Sequence, residues 1–162
     1  MSVEIRPLTA RPECARSLAD WHYAEWGALY GAEWSWQAAY DELLEHAQGQ
    51  SWPTTLIAEH NGDLLGSVSL VESDAAPLDP LGSPWLASLY VRPAARGHGV
   101  AKQLVKGLCE LAAEQGHSKL FLFTPHHAAY YAELGWQAMR TADLHGRSVE
   151  VMVRTLREQV TA

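Results

Sequence analysis

The sequence predicts an α/β (α+β) fold, a mixed central sheet flanked by helices with elements in the order βααβββαβαββ. Three observations predict it. The apolar period alternates between helical and strand-like spacing along the chain, so helices and strands interleave. Residues 119–124 (KLFLFT) form a continuous apolar run, as in a central strand covered on both faces. Finally, 162 residues that are 48% hydrophobic and 19% charged match one domain with a sizeable core, expected over 1–162.

The elements follow in order. Residues 3–8 read as a first strand. Cys14, Leu18 and Trp21 then recur at i, i+4 and i+7, one face of a helix. Ser35 is positioned to cap a second helix, in which Trp36, Tyr40, Leu43, Leu44 and Ala47 form a single stripe. Strands over 54–59 and 64–71 flank Asn61-Gly62, the favoured type I′ hairpin dipeptide, and Gly66 suggests a bulge. A proline-rich loop (73–84) precedes a strand at 85–91, which Pro93 ends. A helix over about 100–115 presents Ala101, Leu104, Val105, Leu108, Leu111 and Ala112 on one face, and Gly116 stops it. After strand 119–124 come a short helix at 128–134 and two strands, 136–142 and 147–156, around His145-Gly146. The last alternates at Val149, Val151 and Val153, which makes it an edge candidate for a homodimer.

Composition excludes several classes. Cys14 and Cys109 are too few for a disulfide framework or a four-cysteine zinc site, so a reducing compartment is expected. Neither a secretory apolar run at the N-terminus nor a membrane span is present, and the expected location is the cytoplasm. A net charge of -7 argues against a nucleic-acid partner. Residues 1–50 hold eight acids against three arginines, whereas residues 91–109 hold Arg92, Arg96, Lys102 and Lys106 with no acid. That basic island is where an anionic ligand is expected.

The island contains LYVRPAARGHGVAKQL (89–104), a strand, a glycine turn and a helix. Free N–H groups of a first helical turn attract phosphate, and glycine allows it to approach the main chain. The P-loop pattern GxxxxGK[ST] is absent, and the third glycine of GxGxxG would fall at Lys102. By contrast, residues 96–101 (RGHGVA) match [QR]xxGx[GA] in full. This resembles the acetyl-CoA pyrophosphate signature of the GNAT superfamily of N-acetyltransferases. Residues 130–136 (YYAELGW) also resemble that superfamily's FYxxLGF segment, and the order of elements matches throughout.

The resemblance implies acetyl-CoA as acyl donor. Main-chain groups of Arg96, Gly97, His98, Gly99, Val100 and Ala101 would hold the pyrophosphate, with charge from Lys102, and Leu89, Tyr90 and Val91 would pair with the pantetheine arm through a splay between strands 85–91 and 119–124. It also implies Tyr131 as general acid, since a phenol is protonated at neutral pH and can donate to a leaving thiolate. The resemblance is incomplete at the general base. Relatives often carry a carboxylate just before the LYV segment, where this chain has Ala87 and Ser88. Glu72 and His127 are the candidate bases, with Glu33 and His126 behind them.

Eight histidines invite a metal reading, but no pair has HExxH or finger spacing, so no metal is expected and the histidines are expected as solvated side chains. Four tryptophans fall in or between the first two helices, a region that borders the acceptor pocket in the superfamily, and Tyr30, Glu33 and Trp34 are the acceptor-binding candidates. The expected reaction is acetyl transfer to a primary amine, a small molecule or a peptide, by direct attack in a ternary complex. A catalytically weak acyl-CoA-binding sensor or interaction domain is the alternative.

Overall fold

The computed structural model describes residues 2–156; residue 1 and residues 157–162, the ends of the expected domain, lie outside the described residues. The strands are β1 (Glu4–Pro7), β2 (Thr54–His60), β3 (Asp63–Val71), β4 (Trp85–Val91), β5 (Lys119–Thr124), β6 (Gln137–Leu144) and β7 (Arg147–Thr155). The α-helices are α1 (Cys14–Tyr30), α2 (Trp36–His46), α3 (Val100–Glu114) and α4 (Ala128–Glu133), so the order βααβββαβαββ holds. The proline-rich loop carries a 3-10 segment, Ala76–Leu81. Strands hydrogen-bond in the order β1-β2-β3-β4-β5-β7-β6, a mixed sheet. The chain divides into two units: residues through 70 with 88–108, and 71–87 with 109 onward.

In the first unit, α1 and α2 bury Cys14, Ala15, Leu18, Ala19, Ala39 and Leu43 in a cluster with Ile57 of β2. Trp21, Trp36 and Tyr40 cover its margin. Leu44 departs from the expected stripe at 39% exposure. The buried seam of α2 is the narrower i, i+4 pair Ala39 and Leu43, which leaves the flank of the stripe in water. Ser35 Oγ accepts from the Ala38 amide at 3.0 Å, the expected cap. Asn61 and Gly62 both have positive φ (51° and 83°), as a type I′ turn requires. The β2–β3 register shifts between Ala58↔Gly66 and Glu59↔Leu64, a bulge beside Gly66. A side chain at Gly66 would overlap the Tyr90 carbonyl, so glycine there lets β3 and β4 approach.

In the second unit, β5 pairs in parallel with β4 at Trp85↔Phe121 and antiparallel with β7 from Lys119↔Thr155 to Thr124↔Glu150. Trp85, Phe121, Leu144, Val149 and Val151 form its apolar cluster. The edge expected of the last strand belongs instead to β6. The β6–β7 hairpin folds β6 to the outside, so β7 is paired on both sides.

Candidate functional site

Two turns carry the residues singled out in the sequence. The first lies in the first unit, between β4 and α3. Gly97 and Gly99 take φ of 84° and 76°, which L side chains rarely adopt, and among the described residues nothing lies within 4 Å of a Cβ placed on either. Space above the turn is therefore open. Helix α3 begins at Val100 with the Gln103 amide donating to the Gly99 carbonyl at 3.1 Å, so by helix geometry the preceding amides face outward at the positive end of the helix. Buried Ala95 and Val100 anchor the turn on either side, while His98 and Lys102 are exposed.

The arginine of the signature is used differently from its basic neighbours. Arg96 Nε donates to the Val91 carbonyl at 2.8 Å, and its guanidinium lies 5.7 Å from the Tyr90 ring centroid. Folded back in this way, it ties the turn to the end of β4. Expected cofactor residues Leu89 to Val91 and Arg96 to Lys102 thus form one continuous strand-turn-helix segment that fits an extended anionic group: an open glycine concavity, outward amides and a flanking lysine.

One feature of this segment has no sequence signal. Ser88, exposed and immediately before Leu89, has a φ of 55°, a left-handed residue within β4. Ala87 beside it is buried. No acid is available there, as the sequence implied.

The second turn, in the second unit, holds Tyr131. Thr124 Oγ1 accepts from the His127 amide at 3.0 Å and orders the entry to α4. At the other end the Tyr131 carbonyl accepts from the amides of Leu134 and Trp136, at 3.0 and 3.1 Å. The ring is 8% exposed, edge-on to Tyr130 and Trp136 at centroid distances of 5.5 and 6.0 Å. Burial, with Tyr130 next to it, pushes the Tyr131 phenol up to about 12, so it is fully protonated at neutral pH. Arg154 Nη1 donates to the Leu134 carbonyl at 2.9 Å, a link across 20 residues that no local pattern announces.

The remaining candidates fall in separate places. Glu72, exposed, follows β3, and its carbonyl accepts from Ser83 Oγ at 2.8 Å. His127 is exposed at the N-cap of α4, with His126 exposed before it. Tyr30, Glu33 and Trp34 come together on the α1–α2 connection, where the Tyr30 and Trp34 rings are 5.5 Å apart and Trp34 Nε1 donates to Glu42 at 3.1 Å. Burial raises the Glu42 carboxyl above its usual range.

Two histidines correct the expectation of solvated imidazoles. His22 is 4% exposed, shares a 3.1 Å hydrogen bond with Ser67 Oγ and packs 4.9 Å from Trp26. His46 Nδ1 lies 2.9 Å from Thr55 Oγ1, which in turn lies 2.7 Å from Ser69 Oγ. Burial pushes both down to about 4, and His46 adds to the effect on His22. His22 had a readable signal: it continues the Cys14, Leu18 spacing by four. Among the described residues no group of histidine, cysteine and carboxylate side chains is arranged to hold a metal ion, and no helix is long and apolar enough to cross a membrane.

Comparison with known proteins agrees with the fold. The acetyltransferase (GNAT) family profile matches residues 15–136, a span that includes both turns. No curated protein matches the chain. Among solved structures, the chain is similar to an aminoglycoside 6'-N-acetyltransferase complexed with coenzyme A, at 15% identity and TM-score 0.76, covering 98% of this chain and 99% of that one. It is also similar to an acetyltransferase of the GNAT family from Staphylococcus aureus Mu50 (14%, TM-score 0.71, covering 96% and 100%). A spermidine N-acetyltransferase chimera from Vibrio cholerae and hSSAT aligns at 18% identity and TM-score 0.67, covering 96% of each chain. At these identities the likeness is one of fold.

Proposed function

The chain belongs to the acetyltransferase (GNAT) family and is an acyltransferase; from that premise we propose that it moves acetyl from acetyl-CoA to a primary amine by direct attack in a ternary complex. The open turn at Gly97 and Gly99 carries the reading, because its amides and glycine concavity suit the pyrophosphate of coenzyme A. Lys102 adds charge at its rim, and Leu89 to Val91 offer strand backbone to the pantetheine arm.

The chemistry assigns one proton to each end of the transfer. The amine nitrogen attacks the thioester carbon and the C–N bond forms. As the C–S bond breaks, Tyr131 donates its phenolic proton to the departing sulfur and regains one from solvent. A raised phenol holds its proton firmly, and a thiolate released into apolar surroundings is made more basic by the same desolvation. The proton lost by the amine passes to Glu72 or His127. Cys109 lies inside α3, and burial raises its thiol, which disfavours a covalent acyl-cysteine route.

The acceptor is a primary amine of a small molecule or a peptide. Solved relatives in fold include aminoglycoside and spermidine acetyltransferases, which supports a small amine, and the ring pair Tyr30 and Trp34 beside Glu33 supports one with an apolar body and a positive charge. The reading of a catalytically weak acyl-CoA-binding sensor or interaction domain is less favoured, since the family profile and the similar solved structures are those of acetyltransferases.

Calorimetric titration with acetyl-CoA, with NAD and ATP as phosphate-bearing controls, tests the donor site. Selective binding that is lost in Gly99→Leu supports it; no binding, or equal binding of the controls, overturns it. Thiol release with an amine panel that includes spermidine and an aminoglycoside then tests turnover.

A further inference from the structure

We propose that Arg154 is a positioning residue for Tyr131, its guanidinium holding the carbonyl that closes α4 and thereby fixing where the phenol points. The proposal rests on the reading of Tyr131 as general acid. Helix α4 has only six residues, Ala128–Glu133, too few to hold a shape by its own hydrogen bonds. Its orientation therefore comes from packing, with Tyr131 buried against Trp136, and from ties at its ends. Thr124 Oγ1 supplies the one at the start.

At the far end, Tyr131 to Trp136 form a closed loop, with the Leu134 and Trp136 amides both returning to the Tyr131 carbonyl. The Leu134 carbonyl points out of this loop, and Arg154 Nη1 donates to it at 2.9 Å. A charged donor makes that bond stronger than a neutral one.

Two neighbours indicate that the guanidinium has a built seat. Gly135 has a φ of 97°, and a Cβ there would overlap Arg154 Nη1, so the absence of a side chain is what lets the guanidinium reach the carbonyl. Burial raises the Cys109 thiol of α3, and the charge of the neighbouring Arg154 and a side-chain interaction with it pull the thiol back down. Arg154 itself sits on β7 opposite Leu120 of β5, inside the antiparallel ladder. The clamp is therefore anchored in the sheet. A proton donor displaced by an ångström loses a large part of its effect, on the order of a hundredfold in well-oriented systems.

The test pairs Arg154→Met with Tyr131→Phe, using acetyl-CoA and the amine that turns over fastest in the screen. Arg154→Met is expected to lower kcat by roughly tenfold or more, with KM for the amine and Kd for acetyl-CoA unchanged. Arg154→Lys, which still donates to one carbonyl, should recover part of the rate. In the Tyr131→Phe background, Arg154→Met should cause no further loss. Full activity in Arg154→Met, or the same fold-loss in both backgrounds, overturns the positioning role while leaving Tyr131 in place. An unchanged kcat in Tyr131→Phe sinks the acid assignment, and the proposal with it. Should Arg154→Met fail to fold, Arg154→Lys and Gly135→Ala perturb the same seat. Should no amine turn over, fluorotyrosine labelling reads the geometry directly: the Tyr131 resonance, identified by its loss in Tyr131→Phe, should shift and broaden in Arg154→Met, and an unmoved resonance rejects the clamp.

Discussion

The two candidate turns both depend on glycine at positive φ, yet they use it in opposite ways. At Gly97 and Gly99 a side chain would meet open space, whereas at Gly135 it would meet the Arg154 guanidinium. An open turn leaves its amides for something outside the chain, while a filled turn spends its contacts on holding its own shape. The first suits a ligand cradle built from main chain; the second suits a rigid mount for one side chain, Tyr131. Predictions that separate the two uses follow from this contrast.

The largest effect is expected at the mounted side chain. Tyr131→Phe removes only the hydroxyl, and loss of a general acid typically lowers kcat by about 100-fold or more. Binding of acetyl-CoA, assigned to the other turn, should stay unchanged by calorimetry. If Kd weakens along with kcat, the division of labour between the turns is wrong.

Next comes Gly135→Ala. A left-handed alanine costs about 1–2 kcal/mol and the broken bond to a charged donor about 1.5–3 kcal/mol, so urea unfolding should report a loss on the order of 3 kcal/mol. A loss of only about 1–2 kcal/mol, the backbone strain alone, would mean that the guanidinium swings away freely. In that case the seat is not rigid.

How much of this was legible depends on whether the signal was local. The strand-turn-helix geometry was readable because such a turn needs glycines at fixed offsets before a helix, and Arg96 to Ala101 supply them within six residues. Helices and hairpins were readable for the same reason: Asn61-Gly62 and His145-Gly146 adopt the positive φ values that their types prefer. Arg154 was not, because its partner lies 20 residues away and pairing is decided by sheet register. The order β5-β7-β6 was likewise invisible, since alternation in β7 is equally compatible with an edge or an interior strand. Leu44 and His22 were misassigned for a shared reason: helical period gives a stripe, and packing decides its width.

Titration sharpens the contrast, because the units bury groups of opposite kind. The first holds two imidazoles, His22 and His46, pushed down to about 4. Around His22 stand Ser67, Trp26, Tyr90 and His46, with no carboxylate among these contacts to stabilise a charge. A depressed imidazole contributes stability above its unfolded value near 6.5, and that contribution is lost as pH falls through the folded value. Unfolding free energy should therefore drop between pH 6.5 and 4, and His22→Gln should flatten the slope by about one proton, roughly 1.4 kcal/mol per pH unit. The second unit holds a phenol raised to about 12. Its contribution is complete below pH 10 and is lost as pH rises through 12, a loss that Tyr131→Phe should remove. An unaltered acid slope in His22→Gln would show that the imidazole is hydrated in solution.

The smallest effect is expected at Gly97, where strain acts without any clash. Gly97→Ala meets nothing within 4 Å among the described residues, so its cost is the left-handed backbone alone, about 1–2 kcal/mol. The same substitution at Gly135 adds the displaced guanidinium, so the difference between the two measures what filling a turn contributes. Affinity gives the complementary reading. A methyl group at Gly97 projects into the space assigned to the pyrophosphate, and acetyl-CoA should bind severalfold more weakly to Gly97→Ala, whereas Gly135→Ala should bind it as the parent does. If both variants bind equally well and lose equal stability, the open turn is a packing turn like the other, and the cradle has to be sought elsewhere on the chain.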